Sequence, residues 1–366
     1  ADGVTVARAT LHGVVTAGDR AGVTFEVGTT DEYGTTLPAA PGVLTGTAES
    51  AVSAALTGLL PGTTYHYRVV ATNEAGVVRG AEETFTTAVA PPLATTDPAE
   101  GVTASGATLK GRVTAQNDPT EVTFAYGLST AYGSEVAATP QTVTGLEETG
   151  VTAALAGLLP HQTYHYRVVA TNTTGTTVGG DEAFTTLPVA PTATTRPAGG
   201  VGTTGAVLEG TVNAHGAEAQ VWFVVAPPDG DETTVAAAPS PVTGRADTAV
   251  SAAVAGLVPN TTYTYRVVAV NAAGETAGPE ATFTTAPAPP VAVTGAYTAV
   301  GATGVVLRGT VNARNAAATV TFSYGPTVGY GTTLAAEPEV VTGTGDVAVM
   351  CILDGLEPGT TYHYRV

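Results

Sequence analysis

The chain has 366 residues, a formal net charge of −18 and only 12% charged residues. Phosphate groups need a basic face, so this charge excludes nucleic acid and an anionic membrane surface as expected partners. A single cysteine excludes a disulfide within the chain. The sequence contains no apolar run of 18 residues, the length that would indicate a membrane-spanning helix. Frequent Val and Thr favour strands, and 45 Gly with 24 Pro mark turns, which together predict an all-β fold.

An internal period of 99 residues organises the chain. The segment from Leu59 to Val69 returns three times, and its central tyrosine recurs as Tyr65, Tyr164, Tyr263 and Tyr362. Self-similarity at a fixed spacing marks copies of one structural unit. The sequence therefore predicts an array of nearly four copies, each long enough to bury its own core.

Each copy contains about seven short strand signals separated by turn residues. Alternating apolar residues at this spacing are typical of a sandwich of two sheets. In the second copy and the start of the third, the predicted strands are 107–113, 121–127, 151–155, 163–171, 183–186 and 191–195, with a short extended piece after Tyr132-Gly133.

Proline-rich joints follow the recurring Phe-Thr-Thr segments and separate the copies. Proline stiffens a joint and limits reorientation, so we expect a semi-rigid rod. The predicted repeats are residues 1–88, 89–187, 188–286 and 287–366, where the first lacks its first strand and the last lacks its final one.

The spacing of Leu59, Pro61 and Tyr65 resembles the fibronectin type III fold. In that fold a Leu and a Tyr six residues later form a tyrosine corner, in which the Tyr hydroxyl bonds back to the main chain. The resemblance implies immunoglobulin-like, seven-stranded β-sandwiches. The implied structural pairs are Leu59/Tyr65, Leu158/Tyr164, Leu257/Tyr263 and Leu356/Tyr362.

The chain is also similar to the fibronectin-type-III-like tandem repeats of bacterial surface and secreted proteins. Phe124-Ala125-Tyr126-Gly127 followed by Tyr132-Gly133 carries this resemblance, and residues 322–331 repeat it. The third copy departs from the pattern with an acidic stretch at 229–232. Members of this family serve as spacers, adhesin stalks, fibre subunits and enzyme accessories, so the resemblance specifies fold better than function.

Few residues suggest chemistry. His66, His165 and His363 share one outward strand position, and the sequence shows no local cluster of further metal ligands beside them. Asp229, Asp231 and Glu232 lack the spacing of a calcium loop, so they are interpreted as an acidic turn. Cys351 is predicted to be a buried thiol that packs as a small hydrophobe. We expect no catalytic residue, no cofactor and no metal.

Three further sets of residues are candidates for surface contacts. Asn172 and Asn260 fit the pattern for N-glycosylation. Trp222 is the only tryptophan and is expected to face outward, which makes it the best candidate for ligand contact. Met350 and Ile352 place bulky apolar groups where other copies have small or hydroxyl residues, which predicts an assembly contact.

The chain ends inside a predicted strand, and two interpretations stay open. The sequence is a window from a longer array, or another subunit donates the final strand by β-augmentation. The predicted function is a non-catalytic, extracellular or cell-surface structural protein, either a stalk or a filament subunit. Its expected partners are copies of itself or a longer parent chain, with a glycan or host surface as a further candidate. The alternative is an adhesin or a carbohydrate-binding accessory module of a secreted protein.

Overall fold

The computed structural model describes residues 1–298 and 301–366, and the regular structure of these residues is 29 β-strands. The chain divides into two compact units, residues 1–187 and residues 188–366, and each is described by itself. No helix within the described residues is long and apolar enough to cross a membrane.

The first unit contains two consecutive copies of the period. The strands of the first copy are β1 (Arg8–Val15), β2 (Gly18–Gly28), β3 (Thr35–Gly46), β4 (Ser50–Thr57), β5 (Thr64–Asn73), β6 (Gly76–Arg79) and β7 (Glu83–Thr86). The strands of the second copy are β8 (Leu93–Glu100), β9 (Gly106–Thr114), β10 (Thr120–Gly127), β11 (Ser134–Val143), β12 (Thr149–Ala156), β13 (Thr163–Asn172), β14 (Gly175–Val178) and β15 (Glu182–Thr185).

The second unit contains the third and fourth copies. The strands of the third copy are β16 (Thr192–Gly199), β17 (Gly205–Asn213), β18 (Gln220–Ala226), β19 (Thr233–Ala236), β20 (Thr248–Ala255), β21 (Thr262–Asn271), β22 (Gly274–Ala277) and β23 (Ala281–Thr284). The strands of the fourth copy are β24 (Val291–Thr294), β25 (Val305–Asn312), β26 (Ala318–Gly325), β27 (Thr332–Val341), β28 (Asp346–Leu353) and β29 (His363–Arg365).

The third copy shows the sheet topology most simply. One sheet has the order β16-β17-β20, and the other has the order β19-β18-β21-β22, with β23 also paired to β21. Because β22 and β23 pair with successive parts of β21, they are two halves of one edge strand. All pairs are antiparallel. The fold is thus the predicted all-β, immunoglobulin-like sandwich with seven strands.

The second copy has the same topology, except that β11 joins the two sheets. It pairs with β10 along most of its length and with β12 through Thr139 and Thr152. In the first copy an isolated bridge between Asp2 and Thr10 lies where the second copy has β8. Among the described residues of the fourth copy, no strand corresponds to β14 or β15.

Each copy has its own core, formed by alternate residues of facing strands. In the second copy Leu109 and Val113 of β9 pack with Val122 and Phe124 of β10 and with Tyr166 of β13, all of them fully buried. Burying one such aliphatic or aromatic side chain stabilises a fold by about 1.5–3 kcal/mol. Alternation along the strands therefore fixes which side chains face outward and are available for contacts.

Candidate functional site

The hydroxyl of the corner tyrosine, which recurs in every copy, bonds to the turn before β13. Tyr164 Oη accepts a hydrogen bond from the main-chain N–H of Leu159 at 3.0 Å, and its ring stacks on Phe184 of β15 with the centroids 5.8 Å apart. The neighbouring Leu158 is buried. Equivalent bonds join Leu60 N–H to Tyr65 (2.9 Å), Val258 N–H to Tyr263 (2.9 Å) and Glu357 N–H to Tyr362 (3.1 Å). The predicted corner leucines of these copies, Leu59, Leu257 and Leu356, each precede the bonded N–H by one residue.

In the second, third and fourth copies a second tyrosine has a role that sequence reasoning missed. Tyr166, two residues after the corner tyrosine, donates its hydroxyl to the carbonyl oxygen of Asp97 on β8 at 2.6 Å. Burial raises the pKa of Tyr166 to about 12, because a phenolate loses hydration inside the core. Tyr265 and Tyr364 make the same kind of bond to Arg196 and Gly295. This second tyrosine ties the central strand of one sheet to the first strand of the other.

A polar cluster lies on the outer face of β13, around one of the recurring histidines. His165 Nδ1 and Asp181 Oδ2 are 2.9 Å apart, and the Tyr132 hydroxyl donates to Asp181 Oδ1 at 3.0 Å. The Arg167 guanidinium lies over the Tyr132 ring, 4.6 Å from its centroid. The histidine does have a carboxylate partner, 16 residues further along the chain. The hydrogen bonds from His165 and Tyr132 lower the pKa of Asp181.

The first copy contains the same cluster, built from the residues at equivalent positions. His66 Nδ1 lies 2.9 Å from Glu82, which also accepts the Tyr33 hydroxyl at 3.0 Å, and Arg68 lies over the Tyr33 ring at 4.3 Å. The hydrogen bond from His66, followed by that from Tyr33, lowers the pKa of Glu82. Each acidic residue is occupied by hydrogen bonds, so the cluster orders a strand face.

The remaining candidates for chemistry have ordinary structural surroundings. No group of three His, Cys, Asp or Glu side chains that could hold a metal ion occurs among the described residues. Glu232 pairs with both terminal nitrogens of Arg266 at 2.8 and 3.0 Å, beside Asp229 and Asp231 in the acidic turn. Cys351 is buried on the inner face of β28, and burial raises the pKa of its thiol.

The candidates for surface contact lie on outer faces, but they differ in exposure. Ile352 on β28 is 58% exposed, whereas Met350, on the same face, is partly buried opposite Arg308. Trp222 on β18 is also only partly buried, and its cross-strand neighbour Val268 is buried. The assembly contact at Met350 and Ile352 and the ligand contact at Trp222 stay predictions.

The two glycosylation candidates both use their side-chain amides inside the protein. Asn172 Nδ2 donates to the carbonyl oxygen of Ala90 at 2.7 Å, and its Oδ1 accepts from the main chain of Thr174. Asn260 Nδ2 donates to the carbonyl oxygen of Asn315 at 2.7 Å. Glycosylation of either asparagine stays a prediction, and a glycan there would have to share the amide with these contacts.

The joint between the first and second copies is built from two loops and a short linker. The loop between β9 and β10 holds Gln116 and Asn117 at positive φ (57° and 60°). Asn117 Nδ2 donates to the carbonyl oxygen of Pro61 at 3.1 Å and to Thr63 Oγ1 at 3.0 Å, both in the preceding copy. A Cβ added to Gly62 would lie 3.0 Å from the Cβ of Asn117, so the main chain of Gly62 packs closely against the Asn117 side chain.

The linker of this joint is also bonded on both sides. The main-chain N–H of Gly62 donates to the carbonyl oxygen of Ala88, and Asn172 of the second copy holds Ala90. The linker is therefore fixed to the first copy near its start and to the second copy two residues later. Sequence analysis predicted stiffness from proline alone and did not identify the asparagine.

The second unit repeats this arrangement between the third and fourth copies. Asn315, with φ 62°, donates from Nδ2 to Thr261 Oγ1 at 2.9 Å and to the carbonyl oxygen of Asn260 at 3.1 Å. In return, Asn260 donates to the carbonyl oxygen of Asn315. The same contact thus occurs at two joints, where the second and fourth copies carry an asparagine at this loop position; the third copy has Gly216 there.

No family model matches the chain. Endoglucanase B of Cellulomonas fimi is 37% identical over 203 residues, which cover 52% of this chain and 18% of that protein. Receptor-type tyrosine-protein phosphatase eta of Gallus gallus is 27% identical over 313 residues, which cover 86% of this chain and 20% of that protein. The chain thus spans about a fifth of the length of these curated relatives.

Two solved structures are similar to parts of the chain. The crystal structure of the chicken CNTN1 FN1–FN3 domains matches with a TM-score of 0.31 and 17% identity, covering 78% of this chain and 96% of that one. The sensor domain of the anti-sigma factor RsgI4 in Pseudobacteroides cellulosolvens matches with a TM-score of 0.22 and 23% identity, covering 27% of this chain and 98% of that one. The assignment of the fold rests on the strand topology of the chain itself, which is that of fibronectin type III-like β-sandwiches.

Proposed function

We propose that this chain is a non-catalytic structural repeat protein of the cell exterior, acting as a stalk or as a subunit of a surface filament. The observation that carries the proposal is the asparagine joint, in which Asn117 bonds to Pro61 and Thr63 of the preceding sandwich. A joint fixed by main-chain contact and hydrogen bonds transmits orientation from one sandwich to the next. That property suits a protein whose task is to hold a distance.

The composition supports the same proposal. A net charge of −18 keeps a long surface soluble, and the buried Cys351 leaves no exposed thiol among the described residues. In the polar clusters at His66 and His165, the histidine Nδ1 pairs with a carboxylate that also accepts a tyrosine hydroxyl, which supports a role in ordering the strand face. Other copies of the chain, or a longer parent chain, are the partners that this role requires.

The rigidity of the joint is tested by distance measurement between the first two sandwiches. Spin labels are attached at Glu49→Cys and Glu147→Cys, which are exposed equivalent turn positions, in a chain with Cys351→Ala. Double electron–electron resonance should give one narrow distance distribution. Asn117→Gly should broaden it, because glycine accepts the positive φ of this position but removes the amide that donates across the joint.

The matched control is Gln116→Gly, the same change at the preceding residue of the loop, which also has positive φ. It should leave the distribution narrow. A distribution that is already broad in the native chain, or that Asn117→Gly leaves unchanged, would remove the mechanical basis of the proposal.

Assembly is proposed to use the outer face of β28 in the fourth copy. Ile352 is 58% exposed there, and Met350 precedes it on the same face, where the third copy has Ala253 and Ser251. The double change Met350→Ser with Ile352→Ala restores the residues of the third copy. Sedimentation of native and changed chains should show weaker self-association after the change, with an unaltered circular dichroism spectrum. Equal association would show that this face is incidental.

A second candidate function is an adhesin or a carbohydrate-binding accessory module of a secreted protein. Two observations favour it: the partly exposed Trp222 on β18, and the match of 203 residues to part of an endoglucanase. A glycan array probed with the native chain and with Trp222→Ala tests it. Glycan binding that is lost in the variant would favour this function, and the absence of any glycan binding would exclude the carbohydrate-binding role.

A further inference from the structure

One outward arginine recurs in the strand that follows the tyrosine corner, and in two copies it holds a carboxylate. In the first copy Arg68 Nε and Nη2 both lie 2.7 Å from Glu26 Oε2, directly across from it on β2. In the third copy Arg266 holds both oxygens of Glu232 at 2.8 and 3.0 Å. Hydrogen bonds between a guanidinium and a carboxylate are charge-assisted and directional.

The equivalent arginine of the second copy, Arg167, has no such partner. Its cross-strand neighbour on β10 is Ala125, at the position of Glu26. No carboxylate of the described residues forms an ion pair with Arg167, and its Nε is the buried side-chain atom that lacks a hydrogen-bond partner there. A buried N–H without an acceptor costs free energy. The missing acceptor is the carboxylate that Ala125 does not supply.

A shallow groove lies beside this guanidinium. It is lined by residues 131–135 together with Ala125 and Arg167. The Tyr132 ring packs against Arg167 and its hydroxyl bonds to Asp181, so the guanidinium is held in place. The replacement of a glutamate by an alanine leaves room for an acceptor from outside.

We propose that this groove binds the carboxylate of a glutamate side chain from a polypeptide partner, in the position that Glu26 occupies in the first copy. The internal template for the acceptor is a glutamate side chain on the adjacent strand. One face of the Tyr132 ring is covered by the Arg167 guanidinium. The groove therefore offers charged N–H donors instead of a free aromatic face on which a sugar could stack. An acidic peptide segment therefore fits better than an acidic sugar.

Two negative groups near the groove weaken the binding of a carboxylate, and removing one of them tests the proposal. Glu135 on β11 lies opposite Ala125, and Asp181 lies beyond Tyr132, where His165 and the Tyr132 hydroxyl bond to it. Both carboxylates repel an incoming anion. Glu135→Gln removes one of them without touching Arg167, so it should strengthen the binding of a carboxylate several-fold.

The experiment follows the Nε–Hε resonances of the intact chain labelled with ¹⁵N-arginine, while N-acetylglutamate N-methylamide is added. The resonance of Arg167 is assigned from its loss in Arg167→Lys. It should shift saturably, whereas the resonance of Arg68 should not, since Glu26 already occupies it. Ala125→Glu should move the Arg167 resonance to its bound position without ligand and abolish the response. Glu26→Ala should transfer a response to Arg68.

Three results would overturn the proposal. The Arg167 resonance fails to shift saturably, or Ala125→Glu leaves the response intact, or glucuronate binds more tightly than the glutamate probe. The last result would assign the groove to acidic sugars instead of polypeptide. Thermal unfolding of each variant, expected to match the native chain, shows that a lost response reflects the groove.

Discussion

The hydroxyl of Tyr166 donates to the carbonyl oxygen of Asp97 at 2.6 Å, and this bond joins the two sheets of the second sandwich. Tyr166→Phe keeps the ring and removes only the bond. We expect a loss of about 0.5–1.5 kcal/mol in the stability of this repeat, the usual range for a single intramolecular hydrogen bond. Hydrogen exchange should quicken in β8 and β13 and stay unchanged in β5, where the first copy is intact. Unchanged exchange in β8 would mean that the bond does not hold the sheets together.

High pH should weaken the second repeat through the same residue. Burial raises the pKa of Tyr166 to about 12, whereas an unfolded tyrosine ionises near 10. The folded state therefore binds this proton more tightly, so its contribution to stability is complete below about pH 10 and is lost as the pH rises toward 12. Ultraviolet absorbance of tyrosinate should show a late-titrating group that Tyr166→Phe removes. Titration of all tyrosines near pH 10 in the folded chain would contradict this.

Truncation of a corner tyrosine should be more severe than loss of its hydroxyl. Tyr164→Ala removes the bond to Leu159 and the stacking on Phe184, and we expect a cost of about 3–5 kcal/mol, as for other large aromatic residues cut to alanine. Tyr164→Phe should cost much less, because the stacking remains. Denaturant unfolding followed by hydrogen exchange of the second repeat measures both. A nearly neutral Tyr164→Ala would count against the sandwich.

The glycine that ends β10 is required by close approach of the main chain. A Cβ added to Gly127 would lie 1.5 Å from the carbonyl oxygen of Tyr132, so the hairpin would have to move. We expect Gly127→Ala to cost about 1–3 kcal/mol or more, the range of overpacked sites. Gly150→Ala is the control, since that position has open space and no positive φ. Comparison of their thermal unfolding tests the prediction, and equal melting temperatures would refute it.

The polar cluster should respond to acid through Asp181. Hydrogen bonds from His165 and then Tyr132 lower its pKa, so the folded state releases this proton more readily than the unfolded chain. The contribution of Asp181 to stability is thus present above about pH 4, the ordinary value, and is lost as the pH falls through the lowered pKa. Carboxyl ¹³C NMR should show a rise in the pKa of Asp181 in His165→Ala. No rise would mean that His165 does not contribute to it.

The period and the spacing from Leu158 to Tyr164 were enough to predict the sandwich, because strand alternation and the corner are local in sequence. The clash of Gly127 with Tyr132 explains a pattern that the sequence showed without its reason. In the third copy Ala226 stands at the position of Gly127, and that copy also lacks the Tyr-Gly pair. The two features belong to one hairpin.

The contacts on which the proposals rest were harder to predict because they join distant residues. Asp181 follows His165 by 16 residues, too far for a local pattern to pair them. The recurrence of an acidic residue at 82, 181 and 280 was nevertheless a signal that this position has a structural role. Asn117 contacts residues 54 and 56 positions earlier, through a loop whose positive φ values no local pattern indicated. Arg167 could be recognised only once its neighbour on β10 was known to be Ala125.

The asparagine joint has an evolutionary consequence. Its two halves, the turn at Pro61 to Thr63 and the loop at Asn117, come from two separate segments of the same repeated sequence. Duplication of one full period therefore supplies a matching acceptor and donor together. Recombination between copies that keep the asparagine can lengthen or shorten such a gene without any new interface having to evolve.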